Sequence, residues 1–158
     1  MPPRHPLYVA WIAEPVPEAV PRPAAPLHLT LVPPFAGDED AVAEAMHAVA
    51  TTSAPVTSAV TGRARFGPRG DVPVLLVAPD TGLRALHDLC MTEMQERGID
   101  LSHARHVRDA YKPHVSVRRP HPDGPEPGDL LRIDHVALLR RGAGGTVVVG
   151  RAPLAGPG

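Results

Sequence analysis

Two short stretches of this chain carry residue types suited to acid–base chemistry on a phosphate. They are His28-Leu29-Thr30-Leu31 and His114-Val115-Ser116-Val117. Each runs histidine, apolar, hydroxyl, apolar. A β-strand sends residues i and i+2 to one face and i+1 and i+3 to the other. Extended backbone therefore predicts His28 and Thr30 on one face, with Leu29 and Leu31 turned into a core. It predicts the same for His114 and Ser116, with Val115 and Val117 behind them. An imidazole has an unperturbed pKa of about 6.5, so it can serve as base or acid near neutrality. One neutral ring can take a proton from an attacking water or hydroxyl, while the other, protonated, gives one to the leaving oxygen. The two hydroxyls can hydrogen-bond the non-bridging oxygens. Such a pair predicts a bell-shaped pH–rate profile whose apparent pKa values belong to the pair. The scheme calls for no metal and no cofactor.

The elements that must position these residues can be read from periodicity. Leu7 to Ala13 is a short apolar run, expected as a buried strand. Five prolines between Glu14 and Pro26 mark a connection. Leu27 to Val32 is the first motif strand, ended by Pro33-Pro34. Asp38 to Ala50 reads as a helix, acidic at its start, with Val42, Ala45, Met46 and Val49 as its apolar stripe. Val56–Phe66 and Val72–Ala78 read as a hairpin around the turn from Gly67 to Asp71. Thr81 to Arg97 is the clearest helix, with Leu83, Leu86, Cys90 and Met94 on one face and Gly98 as its stop. Tyr111 to Arg118 is the second motif strand, followed by a Pro- and Gly-rich loop from Pro120 to Gly128. Leu130–Arg140 and Thr146–Gly150 form a final hairpin. Strand–helix–strand pieces thus fall on both sides of the middle, each half with one motif.

Composition narrows the function. At 158 residues the chain is expected to be one domain. Its net charge of −1 argues against a long nonspecific nucleic-acid groove, though a pocket for one or two phosphates remains open. Lys112 is the only lysine. Cys90 is the only cysteine, so neither a disulfide framework nor a cysteine zinc site is expected. Cys90 sits on an apolar stripe and reads as a buried thiol. The start of the chain lacks the apolar segment of a signal peptide, and no apolar run is long enough to span a bilayer. The expectation is a cytoplasmic monomer with no membrane association. His103 and His106 form an H-x-x-H pair, but nothing nearby completes a metal site, and they read as loop residues. His47 and His87 fall on predicted helices and need no special role. Arg63, Arg65 and Arg108 are candidates for a basic pocket.

HLTLVPPF from His28 to Phe35 and YKPHVSVRR from Tyr111 to Arg119 resemble the paired motif neighbourhoods of the two-histidine (2H) phosphoesterase superfamily. That superfamily includes proteins described as 2′-5′ RNA ligases and cyclic phosphodiesterases. The resemblance extends over most of the chain. It implies an α+β fold of two similar lobes of antiparallel sheet, with flanking helices, around a central cleft. The whole chain, residues 1–158, would form this bilobal domain. It implies His28, Thr30, His114 and Ser116 as catalytic residues and a nucleotide or RNA end as substrate. The reaction would be cleavage of a 2′,3′-cyclic phosphate or a 2′-5′ linkage. The motifs do not separate acid from base. For cyclic-phosphate opening His114 is expected as base and His28 as acid, with the roles exchanged in a ligase-like direction. Tyr111, where the family often has an aromatic, is a candidate to stack on a base or touch phosphate. Arg119 and Lys112 are candidate phosphate contacts, and Tyr8 and Trp11 candidate cleft-lining residues. The family usually carries a helix between its first strand and first motif, where this chain has the proline-rich segment. Competing readings are a 2′-5′ RNA ligase, a nuclease acting on cyclic-oligonucleotide signals, and a nucleotide-binding module without turnover.

Overall fold

The computed structural model describes residues 6–13, 27–116, 125–142 and 145–157. The proline-rich connection, Val117 to Arg119 and the start of the Pro120–Gly128 loop lie outside the described residues. In chain order the elements are β1 (Leu7–Ile12), β2 (His28–Phe35), α1 (Glu39–Thr52), β3 (Val56–Phe66), β4 (Val72–Val77), α2 (Thr81–Glu96), β5 (His114–Ser116), β6 (Leu130–Ile133), β7 (His135–Gly142) and β8 (Gly145–Pro153). A single 3₁₀ turn at Arg108–Ala110 precedes β5.

The described strands form one antiparallel sheet in the order β6-β3-β4-β5-β2-β1-β7-β8. It divides into two four-stranded halves, each ending on its motif strand. The halves meet where β5 pairs with β2, at Leu29 opposite Val115. This is the α+β arrangement of two similar halves that the motifs implied. Both helices pack on one face of the sheet. The core between them includes Val42, Met46 and Val49 from α1, Leu83, Leu86 and Met94 from α2, and Leu29, Leu31, Leu75 and Val115 from the strands. The motif side chains occupy the opposite face. β1 is buried along its whole length because both of its faces are covered, which is why it reads as an unbroken apolar run.

Local chemistry accounts for the helix ends. Asp38 caps α1 by accepting from the Ala41 N–H, and Asp80 caps α2 by accepting from the Leu83 N–H. Gly98, with φ +81°, ends α2 in the left-handed conformation. The C-terminal end of α1 is closed by the chain's last residues. Ala155 N–H donates to the Ala50 carbonyl at 2.8 Å and Gly156 N–H to the Ser53 carbonyl at 3.0 Å. A Cβ on Gly156 would collide with the Thr52 carbonyl and the Ser53 nitrogen, all backbone atoms. Gly156→Ala is therefore expected to destabilise by about 1–3 kcal/mol through overpacking. In thermal melts this should appear as a Tm lower by roughly 2–4 °C per kcal/mol for a chain of this size. An unchanged Tm would show that the C-terminal segment does not hold this position in solution.

Three expectations are corrected. Pro33-Pro34 does not end the first motif strand, because β2 continues to Phe35. Leu7 pairs with Phe35 and Val9 with Val32, so the two prolines lie opposite Tyr8 in a bulge, where a missing N–H is tolerated. The run Leu130–Arg140 is two strands, broken at Asp134. β6 pairs with β3 at one sheet edge, while β7 pairs with β1 in the other half. The second motif strand begins only at His114, so Tyr111 precedes it. No helix among the described residues is long and apolar enough to cross a membrane.

Candidate active site

The alternation read from the motifs is realised at the seam between the halves. Leu29, Leu31 and Val115 are fully buried on the helix side, while His28, Thr30, His114 and Ser116 are half-buried on the other. With Leu29 opposite Val115 in an antiparallel pair, His28 comes opposite Ser116 and Thr30 opposite His114. Each histidine therefore neighbours the hydroxyl residue of the other motif. The paired strands extend the same face outwards. On one side Leu76 pairs with His114 and Val74 with Ser116; on the other Ile12 pairs with His28 and Ala10 with Thr30. The floor around the four polar side chains is thus apolar.

Each imidazole has an aromatic neighbour. The Phe66 ring meets His114 edge-on with centroids 4.8 Å apart, and Tyr8 lies against His28 at 5.2 Å. Arg141 caps the Tyr8 ring, its guanidinium carbon 5.0 Å from the ring centroid. Burial raises the Tyr8 phenol above its ordinary pKa, with the Arg141 charge working the other way. His114 Nδ1 lies 2.8 Å from the Lys112 carbonyl. A carbonyl can only accept, so Nδ1 carries the proton and Nε2 is the nitrogen left to exchange one.

The structure sorts the supporting candidates. Tyr8 has the parity of the motif face and lies against His28, but it is itself fully buried. Trp11 does not share that parity: it pairs with Leu29 and packs in the core on the helix side. In a strand that is apolar throughout, only the register with β2 tells which residues face which way. Tyr111 is buried rather than open to a ligand, its hydroxyl donating to the Thr30 carbonyl at 2.7 Å. Lys112 has an exposed side chain before β5, and its contact with the motif is its backbone carbonyl. Arg119 lies outside the described residues. Arg63 and Arg65 pair with Leu75 and Pro73, which gives them the parity of the helix side, away from the motifs. Arg108 is tied to α2 through the Asp88 carbonyl, Thr92 Oγ1 and Gln95 Oε1. These three arginines do not form a pocket with the histidines. His103 and His106 are exposed. Among the described residues no group of three or more His, Cys, Asp or Glu is placed to hold a metal ion. Burial pushes the Cys90 thiol up to about 12, so it stays protonated at neutral pH.

Sequence reading misses Phe66, Arg141 and His87. Phe66 is detectable in principle, because Gly62, Ala64 and Phe66 alternate with the exposed Arg63 and Arg65 on a hairpin strand. His87 is detectable as a polar residue on the buried stripe of a helix, which must find partners. Arg141 has no local signal.

The sequence matches the family model of the 2′-5′ RNA ligase superfamily over residues 10–145. No curated protein matches it. Among solved structures, TT0787 of Thermus thermophilus superposes with a TM-score of 0.66 at 19% identity, covering 97% of this chain and 100% of that one. E. coli LigT complexed with NADP+ gives 0.60 at 18% identity, covering 96% and 98%. A structure described only as a phosphoesterase gives 0.61 at 19% identity, covering 97% and 99%. These likenesses show a shared fold along essentially the full length of both partners. With the family match over most of the sequence, the chain belongs to the 2′-5′ RNA ligase superfamily, within the two-histidine phosphoesterases that its paired motifs resemble.

Proposed function

We propose that this protein is a phosphodiesterase that opens 2′,3′-cyclic phosphates or cleaves 2′-5′-linked nucleotides and RNA ends, with His28 and His114 as the acid–base pair. The observation that carries the reading is the Leu29–Val115 pairing, which sets two histidines and two hydroxyls on one face of the sheet. A phosphate lying over the β2–β5 seam meets all four. In cyclic-phosphate opening, Nε2 of His114 takes a proton from water as the water oxygen bonds to phosphorus. One ribose P–O bond breaks, and protonated His28 gives its proton to the departing ribose oxygen. The product is a phosphate monoester, and proton exchange with solvent restores both rings. Thr30 and Ser116 donate to the non-bridging oxygens, where negative charge accumulates. Phe66 and Tyr8 restrict the rotation of the imidazoles, and Arg141 adds positive charge on the His28 side.

Net charge near zero favours a nucleotide or an RNA end over a long RNA. LigT of E. coli, which has the same fold, was crystallised with NADP+, 3′-AMP and ATP, which supports a nucleotide-sized ligand here. The family description also keeps ligation in view, as the reverse of the same chemistry with the acid and base exchanged.

The test is turnover in EDTA of 2′,3′-cyclic nucleotides, a 2′-5′ dinucleotide and 3′-5′ cyclic dinucleotides, with His114→Ala alongside. Cleavage that survives EDTA and disappears in the variant is expected. Cleavage retained by His114→Ala would rule out the acid–base role, and binding without cleavage of any member would favour the non-catalytic module. Hydrolysis and sealing compared on one matched RNA pair separate hydrolase from ligase.

A further inference from the structure

Behind the motif strands lies a polar network that the acid–base scheme does not use. Its centre is His87 on α2, which is fully buried. His87 Nδ1–H donates to the Leu31 carbonyl at 2.6 Å, one residue past Thr30. Its Nε2 accepts from the Arg108 backbone N–H at 2.8 Å. One partner can only accept and the other can only donate, so the ring is neutral with its proton on Nδ1. Burial favours the same state by lowering the pKa of His87, although the Leu31 hydrogen bond and the Asp88 charge oppose it. The ring lies flat on Tyr111, with centroids 4.0 Å apart and planes 6° from parallel. The Tyr111 hydroxyl in turn donates to the Thr30 carbonyl.

The backbone between these anchors is strained. Arg108 has φ +56°, in the left-handed region that a side chain disfavours. Such conformations persist where the surroundings over-determine them. Here the His87 ring takes the Arg108 N–H, and α2 takes its guanidinium at three points. From this fixed residue the chain passes Tyr111, clamped between His87 and Thr30, and reaches Lys112, whose carbonyl holds the His114 ring. His87 therefore touches the first motif strand directly and governs the segment that orients the histidine of the second.

We propose that His87 is a positioning residue: by tying Leu31 to Arg108 and stacking on Tyr111, it sets the place and ring orientation of His114 relative to the strand of His28 and Thr30. The inference rests on the reading that His114 is catalytic, and its test separates the two.

His87→Phe keeps a flat ring for the stack and removes both polar ties. Tyr111→Phe keeps the stack and removes only the hydroxyl tie. A misplacement of about 1 Å can cost 10²-fold in rate, so kcat should fall roughly 10- to 100-fold in His87→Phe and about 3- to 10-fold in Tyr111→Phe, with KM within about twofold. Rates are taken per folded protein, well below each Tm. Imidazole ¹⁵N spectra, with His114 assigned from His114→Ala, supply a readout independent of turnover. Wild-type His114 should be in the Nδ1–H form, and both variants should show a mixture of tautomers. A lowered Tm with kcat and the His114 tautomer unchanged would overturn the proposal. If His87→Phe does not fold, the same readouts on Tyr111→Phe decide. A wild-type protein inactive on every substrate, whose His114 tautomer still shifts in the variants, would support the positioning role and remove the phosphodiesterase reading.

Discussion

His114→Ala is expected to lower kcat about 10²–10⁴-fold, the usual range for losing a positioned general acid or base. His28→Ala should fall in the same range. KM should change little, because the floor of the site, the hydroxyls and Arg141 remain. Since the two rings act on one proton-transfer sequence, the double variant should be only slightly slower than the slower single one. The pH profile adds a sharper criterion. The wild type should be bell-shaped, and each variant should lose one limb of the bell in its residual activity. The limb each loses identifies the base and the acid, which the motif residues alone do not distinguish. Retention of more than about a tenth of wild-type kcat by either variant would place the chemistry elsewhere. Neither change touches Leu29 or Val115 in the core, so the Tm should stay close to wild type and loss of folding should not account for the result.

The faces of the motif strands are legible in the sequence because the period-2 pattern has an apolar partner at every second position. Leu29, Leu31 and Val115 cannot be exposed together without turning both histidines into the core. The helices are legible for a similar reason, from a stripe, an acidic start and, for α2, a glycine stop. What cannot be read is anything set by long-range pairing. Trp11 reads as a cleft residue because a strand buried on both faces carries no parity of its own, and only its pairing with Leu29 places it on the helix side. Pro33-Pro34 suggests a strand end because a bulge leaves no local trace. The Leu130–Arg140 run looks continuous because Asp134 is a single polar residue, while its two halves pair with strands in opposite halves of the sheet. Tyr111 does reach the first motif strand, but the hydroxyl that suggests a ligand contact is used by the Thr30 carbonyl. In each case the residue type is informative and its partner is not.

Removing one hydroxyl tests the other half of the site. Thr30→Val is nearly isosteric and keeps the β-branched shape that suits a strand, so it deletes a donor with little effect on β2. Ser116→Ala does the same on β5. If these hydroxyls donate to the phosphate oxygens as charge builds, each loss should cost about 10²–10³-fold in kcat, the usual range for a single oxyanion donor. A donor engaged mainly in the transition state lowers kcat and kcat/KM together, whereas one that only binds substrate raises KM with kcat intact. The register makes the prediction more specific. Thr30 lies opposite His114 and Ser116 opposite His28, so each hydroxyl belongs spatially to the other motif's histidine. Thr30→Val should therefore be strongly non-additive with His114→Ala, and Ser116→Ala with His28→Ala. The pairs within one motif should come closer to adding. Exchanging the hydroxyls, as Thr30→Ser or Ser116→Thr, should leave activity within a few-fold of wild type, because the donor is kept at each position. A Thr30→Val protein with unchanged kcat would mean that the hydroxyls serve only the strand. The recurrence of a hydroxyl residue two places after each histidine would then need another cause.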